Sequence, residues 1–124
     1  MKQKKILIAD DNEHIRESLA SILEDEGYAT WTAKDGAEAL RKVKEIAPDI
    51  LILDVTMPEM SGYEVCRTIK SDPDLKKTFV LMLSAKGQAT EQARGKEVGA
   101  DEYFVKPFSP IEIVTRIRNV LDDQ

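Results

Sequence analysis

The chain has 124 residues, 42% of them hydrophobic and 33% charged, which fits one globular domain with a sizeable core and excludes a disordered chain. Acids outnumber bases 23 to 18, a net charge of −5, which argues against a general nucleic-acid binder. No apolar run approaches the ~20 residues of a membrane span, and the basic start MKQKK leads only into ILIA before two acids, too short for a secretory leader. The single cysteine, Cys66, forbids an intrachain disulfide and suits a reducing, cytoplasmic setting. With no cation or histidine beside it in sequence, it reads as a half-buried helix residue.

In chain order, KILIA (5–9) is a short apolar run that predicts a strand. Ile15, Leu19, Ile22 and Leu23 then recur at helical spacing, and Gly27 closes that helix as a C-terminal cap. ATWTA (29–33) is β-branched and aromatic, hence a strand, with Trp31 read as packing. DGAEALRKVKEI places Ala39, Leu40, Val43 and Ile46 on one helical face, and Pro48 stops it. ILIL (50–53) is a strand and SGYEVCRTIKS a helix ended by DPD. FVLML (79–83) is a strand, and ATEQARGKEVGA (89–100) a helix weakened by Gly95, with Gly99 near its end. EYFV (102–105) is the fifth strand. The last helix carries Ile113, Val114, Ile117, Val120 and Leu121 on its core side, with Ser109 as N-cap and Pro110 in its first turn.

Strands and helices therefore alternate five times, and continuous apolar strands mark a parallel sheet covered on both faces. The predicted fold is an open three-layer α/β/α sandwich. The sequence stops soon after the last helix, so one domain spanning residues 1–124 is expected.

The chemistry lies at the strand ends. ILIA runs into Asp10 and Asp11, ILIL into Asp54, FVLML into Ser84, and EYFV into Lys106. In a parallel sheet these ends share one edge, the ligand-binding edge of open α/β folds. Taken singly, each residue has a plain structural role: an aspartate after a strand commonly serves a turn or caps a helix. Together they make a site. Clustered carboxylates repel one another unless a cation intervenes, and all-oxygen ligands favour Mg²⁺ over zinc, with Ca²⁺ left open. A carboxylate, a divalent cation, a lysine and a hydroxyl suffice for phosphoryl transfer onto an aspartate. Asp54, alone on its strand, is the candidate nucleophile; the adjacent Asp10 and Asp11 suit the metal.

The stretches IADDNEHIRESL, PDILILDVTMPEMSGYEV, LMLSAKG and GADEYFVKPFSP, in that order along nearly the whole chain, resemble the receiver domains of two-component response regulators. The resemblance implies a flavodoxin-like fold, a five-stranded parallel sheet of order 2-1-3-4-5 with five helices. It implies Asp54 as phosphoacceptor, Asp10, Asp11 and Asp54 with the main-chain carbonyl of Thr56 as ligands of Mg²⁺ (Mn²⁺ or Ca²⁺ as substitutes), and Lys106 as the family's site lysine. Ser84 and Tyr103 match the hydroxyl and aromatic residues that move together on phosphorylation, and the Lys106–Pro107 bond matches one that is usually cis. The implied partners are a histidine kinase or histidine phosphotransfer protein as donor, and a downstream protein at the face of the fourth helix, fifth strand and last helix. Neither nucleic acid nor membrane is contacted directly, and the state is monomer or weak dimer. Such a protein is a phosphoacceptor rather than a conventional enzyme, although it assists its own phosphorylation from small acyl phosphates and its own dephosphorylation.

Departures are small: Ser61 stands where many relatives carry aspartate, and Thr56 and Lys86 fall at the variable positions that tune phosphoryl loss. An aspartate-nucleophile phosphatase would carry a second aspartate two residues after Asp54, where this chain has Thr56. A flavin-binding fold would want a hydroxyl- and glycine-rich loop after the first strand, where DDNEH would repel phosphate. A pseudo-receiver, a pure interaction module, would lack one of Asp10, Asp11, Asp54, Ser84 and Lys106, and all five are present. The only histidine, His14, is expected exposed in a first helical turn and not as a phosphodonor; Met57, Met60 and Met82 read as packing.

Overall fold

The structure, a computed structural model, describes residues 3–85 and 89–122. Lys5–Ala9 (β1), Ala29–Ala33 (β2), Ile50–Asp54 (β3), Phe79–Ser84 (β4) and Glu102–Val105 (β5) pair in parallel in the order β2-β1-β3-β4-β5. Between and after them lie Glu13–Asp25 (α1), Gly36–Ile46 (α2), Gly62–Ser71 (α3), Ala89–Glu97 (α4) and Pro110–Asp122 (α5). This is the sheet order that the resemblance implied.

The register sorts the apolar strand residues into two layers. Ile6 pairs with Ile50, Leu7 with Leu51 and Ile8 with Ile52, so alternate residues face opposite sides. Ile6, Ile8, Ile50, Ile52, Leu81 and Leu83 pack with Leu19 and Leu23 of α1 and Ile113 and Ile117 of α5. Leu7, Leu51, Leu53, Val80 and Met82 pack on the other face with Ala39 and Val43 of α2 and Val65, Cys66 and Ile69 of α3. Every residue of β3 is buried, as a central parallel strand requires. β2 is an edge strand, and its exposed carbonyl row is partly covered by Lys42, whose Nζ donates to the Thr32 carbonyl.

Among the described residues, α1, α2 and α3 start on side-chain caps. Asn12 accepts from the Ile15 amide, Asp35 from Glu38 and Ser61 from Glu64, each cap contributing about 1 kcal/mol. Three details differ from the sequence expectations. α4 ends at Glu97 rather than reaching residue 100, because Gly99 turns left-handed at φ 94° while its amide and that of Ala100 bond back to Lys96 and Gly95. Cys66 is fully rather than half buried, with Sγ 3.5 Å from the Val98 carbonyl, and burial pushes its thiol up to about 11. Trp31, expected to pack, is 37% exposed because its strand has a neighbour on one side only. Among the described residues, no helix is long and apolar enough to cross a membrane.

Gly62 matters most for the site. Its amide bonds the Val55 carbonyl at 2.8 Å, and a Cβ there would stand 2.3 Å from the Asp54 carbonyl oxygen and 2.8 Å from Val55 Cα. The loop after β3 can fold back onto the strand end only because this residue has no side chain. Gly62→Ala is expected to lower the unfolding free energy by about 2–3 kcal/mol; a urea midpoint equal to the parent's would contradict that close approach.

Candidate functional site

The strand order reverses between β1 and β3, and both strands end there in buried aspartates: Asp10 is 0% and Asp54 4% exposed. The chain cannot bury such groups without partners, and each partner is identifiable. Asp10 Oδ1 accepts the Asn12 amide at 2.9 Å, and Oδ2 accepts Lys106 Nζ at 3.0 Å. The Asp10 carbonyl accepts Arg16 Nη1 at 2.9 Å, which ties α1 to the end of β1. Asp54 Oδ1 accepts the Thr56 amide at 3.4 Å and Lys106 Nζ at 3.4 Å.

Lys106 follows β5, and its backbone amide donates to the Ser84 carbonyl at 2.6 Å, so the ends of β4 and β5 are joined at the residue whose ammonium reaches β1 and β3. The Lys106–Pro107 bond is cis. Ser84 is buried at the end of β4. Tyr103 pairs with Met82, two residues back from the Ser84–Val105 pair, so it lies on the same sheet face as Ser84. It is half-buried against the Leu7–Leu51–Met82 layer. Asp11 is exposed, yet one oxygen from each of Asp10, Asp11 and Asp54 falls within a 4.8 Å group. Thr56 is exposed, and the atom that bonds the site is its amide. Lys86 lies outside the described residues.

The electrostatics follow from this crowding. Burial, reinforced by the charge of Asp10, pushes Asp54 up to about 6, against the opposing pull of Lys106 and the Thr56 amide. Burial works against the charged form of Lys106, but its hydrogen bond to Asp10 and the charges of Asp54 and Asp10 outweigh it, so its pKa is raised and the ammonium persists. Three carboxylates and one ammonium leave −3 + 1 = −2 when all are ionised. Such a set of hard oxygens could hold a divalent cation of the Mg²⁺ type.

Two pockets flank the cluster. One of about 480 Å³ is mostly apolar, with Ile15, Leu19, Pro107 and Phe108 beside Lys106. The other, about 270 Å³, lies on the opposite side against Thr56, Met57, Ser61, Ser84 and Arg94.

The five site residues picked from the sequence thus meet at one edge. Sequence reasoning assigned no role to Asn12 or Arg16, which fix the backbone of Asp10. An asparagine just before an apolar-periodic helix was a readable cap signal; nothing in the sequence marks a surface-helix arginine as reaching back to a strand end.

A doubly covered parallel sheet of this order with an acidic cluster and a lysine at its carboxyl edge defines the receiver class of signalling domain. The chain belongs to the response regulator receiver domain family, matching it over residues 6–118. It is 44% identical over 119 residues to the alkaline phosphatase synthesis transcriptional regulatory protein PhoP of Bacillus subtilis, covering 95% of this chain and 48% of that protein. It is likewise 44% identical over 119 residues to the transcriptional regulatory protein ResD of the same organism, covering 96% and 48%. The chain spans about half the length of the curated relatives it matches. Among solved structures, the chemotaxis protein CheY4 of Vibrio cholerae superposes with a TM-score of 0.89 at 36% identity, covering 96% of this chain and 99% of that one.

The raised pKa of Asp54 has a consequence for stability. Its folded value, about 6, exceeds the ordinary 3.8, so the folded state holds the proton more tightly. That contribution is full below pH 3.8 and is lost as the pH rises through about 6. At about 1.4 kcal/mol per unit, discounted for solvent at the site mouth, the loss is about 1–2 kcal/mol. In EDTA at pH 8, Asp54→Asn is therefore expected to be more stable than the parent by about that amount, and to lose the advantage by pH 4. Urea unfolding at both pH values checks this; a variant no more stable at pH 8 contradicts it.

Proposed function

We propose that this chain is a phosphorylation-dependent signalling switch in which Asp54 accepts a phosphoryl group from a phosphohistidine of a sensor kinase or phosphotransfer protein. The observation that carries the reading is the placement of Asp54: buried at the end of the central strand, 3.4 Å from the Lys106 ammonium and grouped with two further carboxylates. An aspartate held there is shielded from bulk water yet faces a fixed cation. A carboxylate oxygen of Asp54 attacks phosphorus, and the bond to the departing imidazole nitrogen breaks.

In this reading Asp10, Asp11 and Asp54, with the main-chain carbonyl of Thr56, hold Mg²⁺, and Mn²⁺ or Ca²⁺ can replace it. When bound, the cation offsets negative charge on the transferring phosphoryl oxygens. Lys106 offers the same group a fixed ammonium, and the Ser84 hydroxyl a hydrogen bond. The Thr56 amide, already directed at Asp54, keeps the carboxylate oriented. Tyr103 shares a sheet face with Ser84, which supports its assignment as the residue that responds when Ser84 moves. The response would be read at the face of α4, β5 and α5 by a partner protein or by a further domain, in a cytoplasmic setting, with residues 1–124 acting as one receiver unit in a monomer or weak dimer. The chain acts as a phosphoacceptor that assists its own modification and its reversal, and is not a conventional enzyme.

Incubation with acetyl phosphate and Mg²⁺ is expected to add one phosphoryl group to the intact mass of the wild-type chain, and none to Asp54→Asn or to wild type in EDTA. Full labelling of Asp54→Asn would sink the assignment, and labelling in EDTA would remove the metal from it.

A further inference from the structure

One cation beside the site takes no part in its ion pairs. Arg94 projects from α4, and its Cζ lies 4.3 Å from the centroid of the Tyr63 ring at the start of α3. The residue is exposed, and among the described residues no carboxylate pairs with it. Lys106, by contrast, is already committed to Asp10 and Asp54.

The Arg94–Tyr63 stack is also a partition. Both residues line the pocket of about 270 Å³ beside Thr56 and Ser84, and both line a second pocket of about 390 Å³ that continues between α3 and α4 past Glu64 and Arg67. The first of these opens against Asp54's surroundings. Val55 and Thr56 follow Asp54 directly, and Ser84 follows Leu83, the register partner of Asp54 on β4. The pocket therefore lies against the chain that directly follows Asp54, with the Arg94 guanidinium as one wall.

With a divalent cation held by Asp10, Asp11 and Asp54 the cluster would be close to neutral, so an anionic phosphodonor would find little net attraction there. Arg94, which no carboxylate among the described residues pairs with, supplies that attraction at a pocket ample for a small acyl phosphate. A guanidinium fork suits two phosphoryl oxygens at once, and an aromatic face holds it in place without neutralising it.

We propose that Arg94 binds the phosphoryl oxygens of an incoming small acyl phosphate in the pocket between α3 and α4 beside Asp54. The inference rests on Asp54 being the phosphoacceptor. In the transfer, a carboxylate oxygen of Asp54 forms a bond to phosphorus while the bond from phosphorus to the acyl oxygen breaks. The departing carboxylate takes the electron pair, and no proton moves. Arg94 acts before that step, raising the occupancy of the donor next to Asp54, and stays bound to the phosphoryl oxygens through it.

The test is the rate of Asp54 labelling by acetyl phosphate with Mg²⁺, followed by intact mass on the full chain over a range of donor and salt concentrations. Arg94→Met keeps the stem over the Tyr63 ring and removes the charge; Arg94→Lys keeps the charge and removes the fork. The second-order labelling constant of Arg94→Met is expected to fall about tenfold, with a weaker dependence on NaCl than wild type, and that of Arg94→Lys by about threefold or less. Wild-type rates and salt dependence in Arg94→Met would overturn the inference while leaving Asp54 in its role. So would a loss in Arg94→Lys that Arg94→Met does not share, which would make packing on Tyr63 the function of the residue. A wild-type chain that takes no label at Asp54 would remove both readings together.

Discussion

Mutual repulsion of Asp10, Asp11 and Asp54 at one sheet edge is the constraint on which the rest depends. Two of the three are essentially out of water, where an unpaired carboxylate is costly. Lys106 offsets part of that cost by bonding both buried acids. Burial first, and then the charge of Asp10, raise the pKa of Asp54, while the two carboxylates raise that of Lys106 against its own burial. The edge is under electrostatic tension, and a further cation relieves it.

The scaffold is organised to keep that tension from dissipating. Asp10 cannot turn away, because both its side-chain oxygens and its carbonyl are engaged by Lys106, Asn12 and Arg16. Asp54 is held by the Gly62 approach behind it and by the Thr56 amide beside it. Gly36 serves the same loop from the other side, since a Cβ there would stand 2.1 Å from the Met60 carbonyl oxygen. The two apolar layers hold the strands in register, and register decides which side chains reach the edge.

How far the sequence showed all this follows from which interactions are local. Continuous apolar strands and helical periodicity are local signals, so all ten elements are legible in the sequence, and so is the gathering of polar residues from four strand ends at one edge. α4 was overextended because its sequence keeps helical character to Ala100, and only the left-handed turn at Gly99 stops it. Trp31 lies on a strand that the implied order already puts at the edge, but aromatic content does not say how far the flanking helices cover that strand's faces. Arg16 and Arg94 stayed invisible for a related reason. A surface-helix arginine is the same letter whether it points at solvent, at a strand-end carbonyl or at a tyrosine ring.

Lys106 joins the electrostatics to the mechanics. Its ammonium touches the ends of β1 and β3, while its backbone amide is bonded to the end of β4 at Ser84. On the proposed reading, phosphorylation replaces the single charge of Asp54 with a larger one carried on three outward oxygens. The ammonium must then divide itself differently between Asp10 and the new group, and the strand end that carries it is the one attached to Ser84. Tyr103 sits on β5 three residues before Lys106, which directly follows that short strand, with its ring beside Gly95 of α4. Gly95 leaves room that a larger residue would fill: a Cβ there would meet the Tyr103 ring at 3.0 Å. A change of charge at the edge thus has a short covalent path to an aromatic ring packed against α4, and that path runs through β5, the strand at the opposite edge of the sheet from β2. An edge strand with one neighbour is the cheapest part of a sheet to move, which is where a switch driven by a single added charge would have to act.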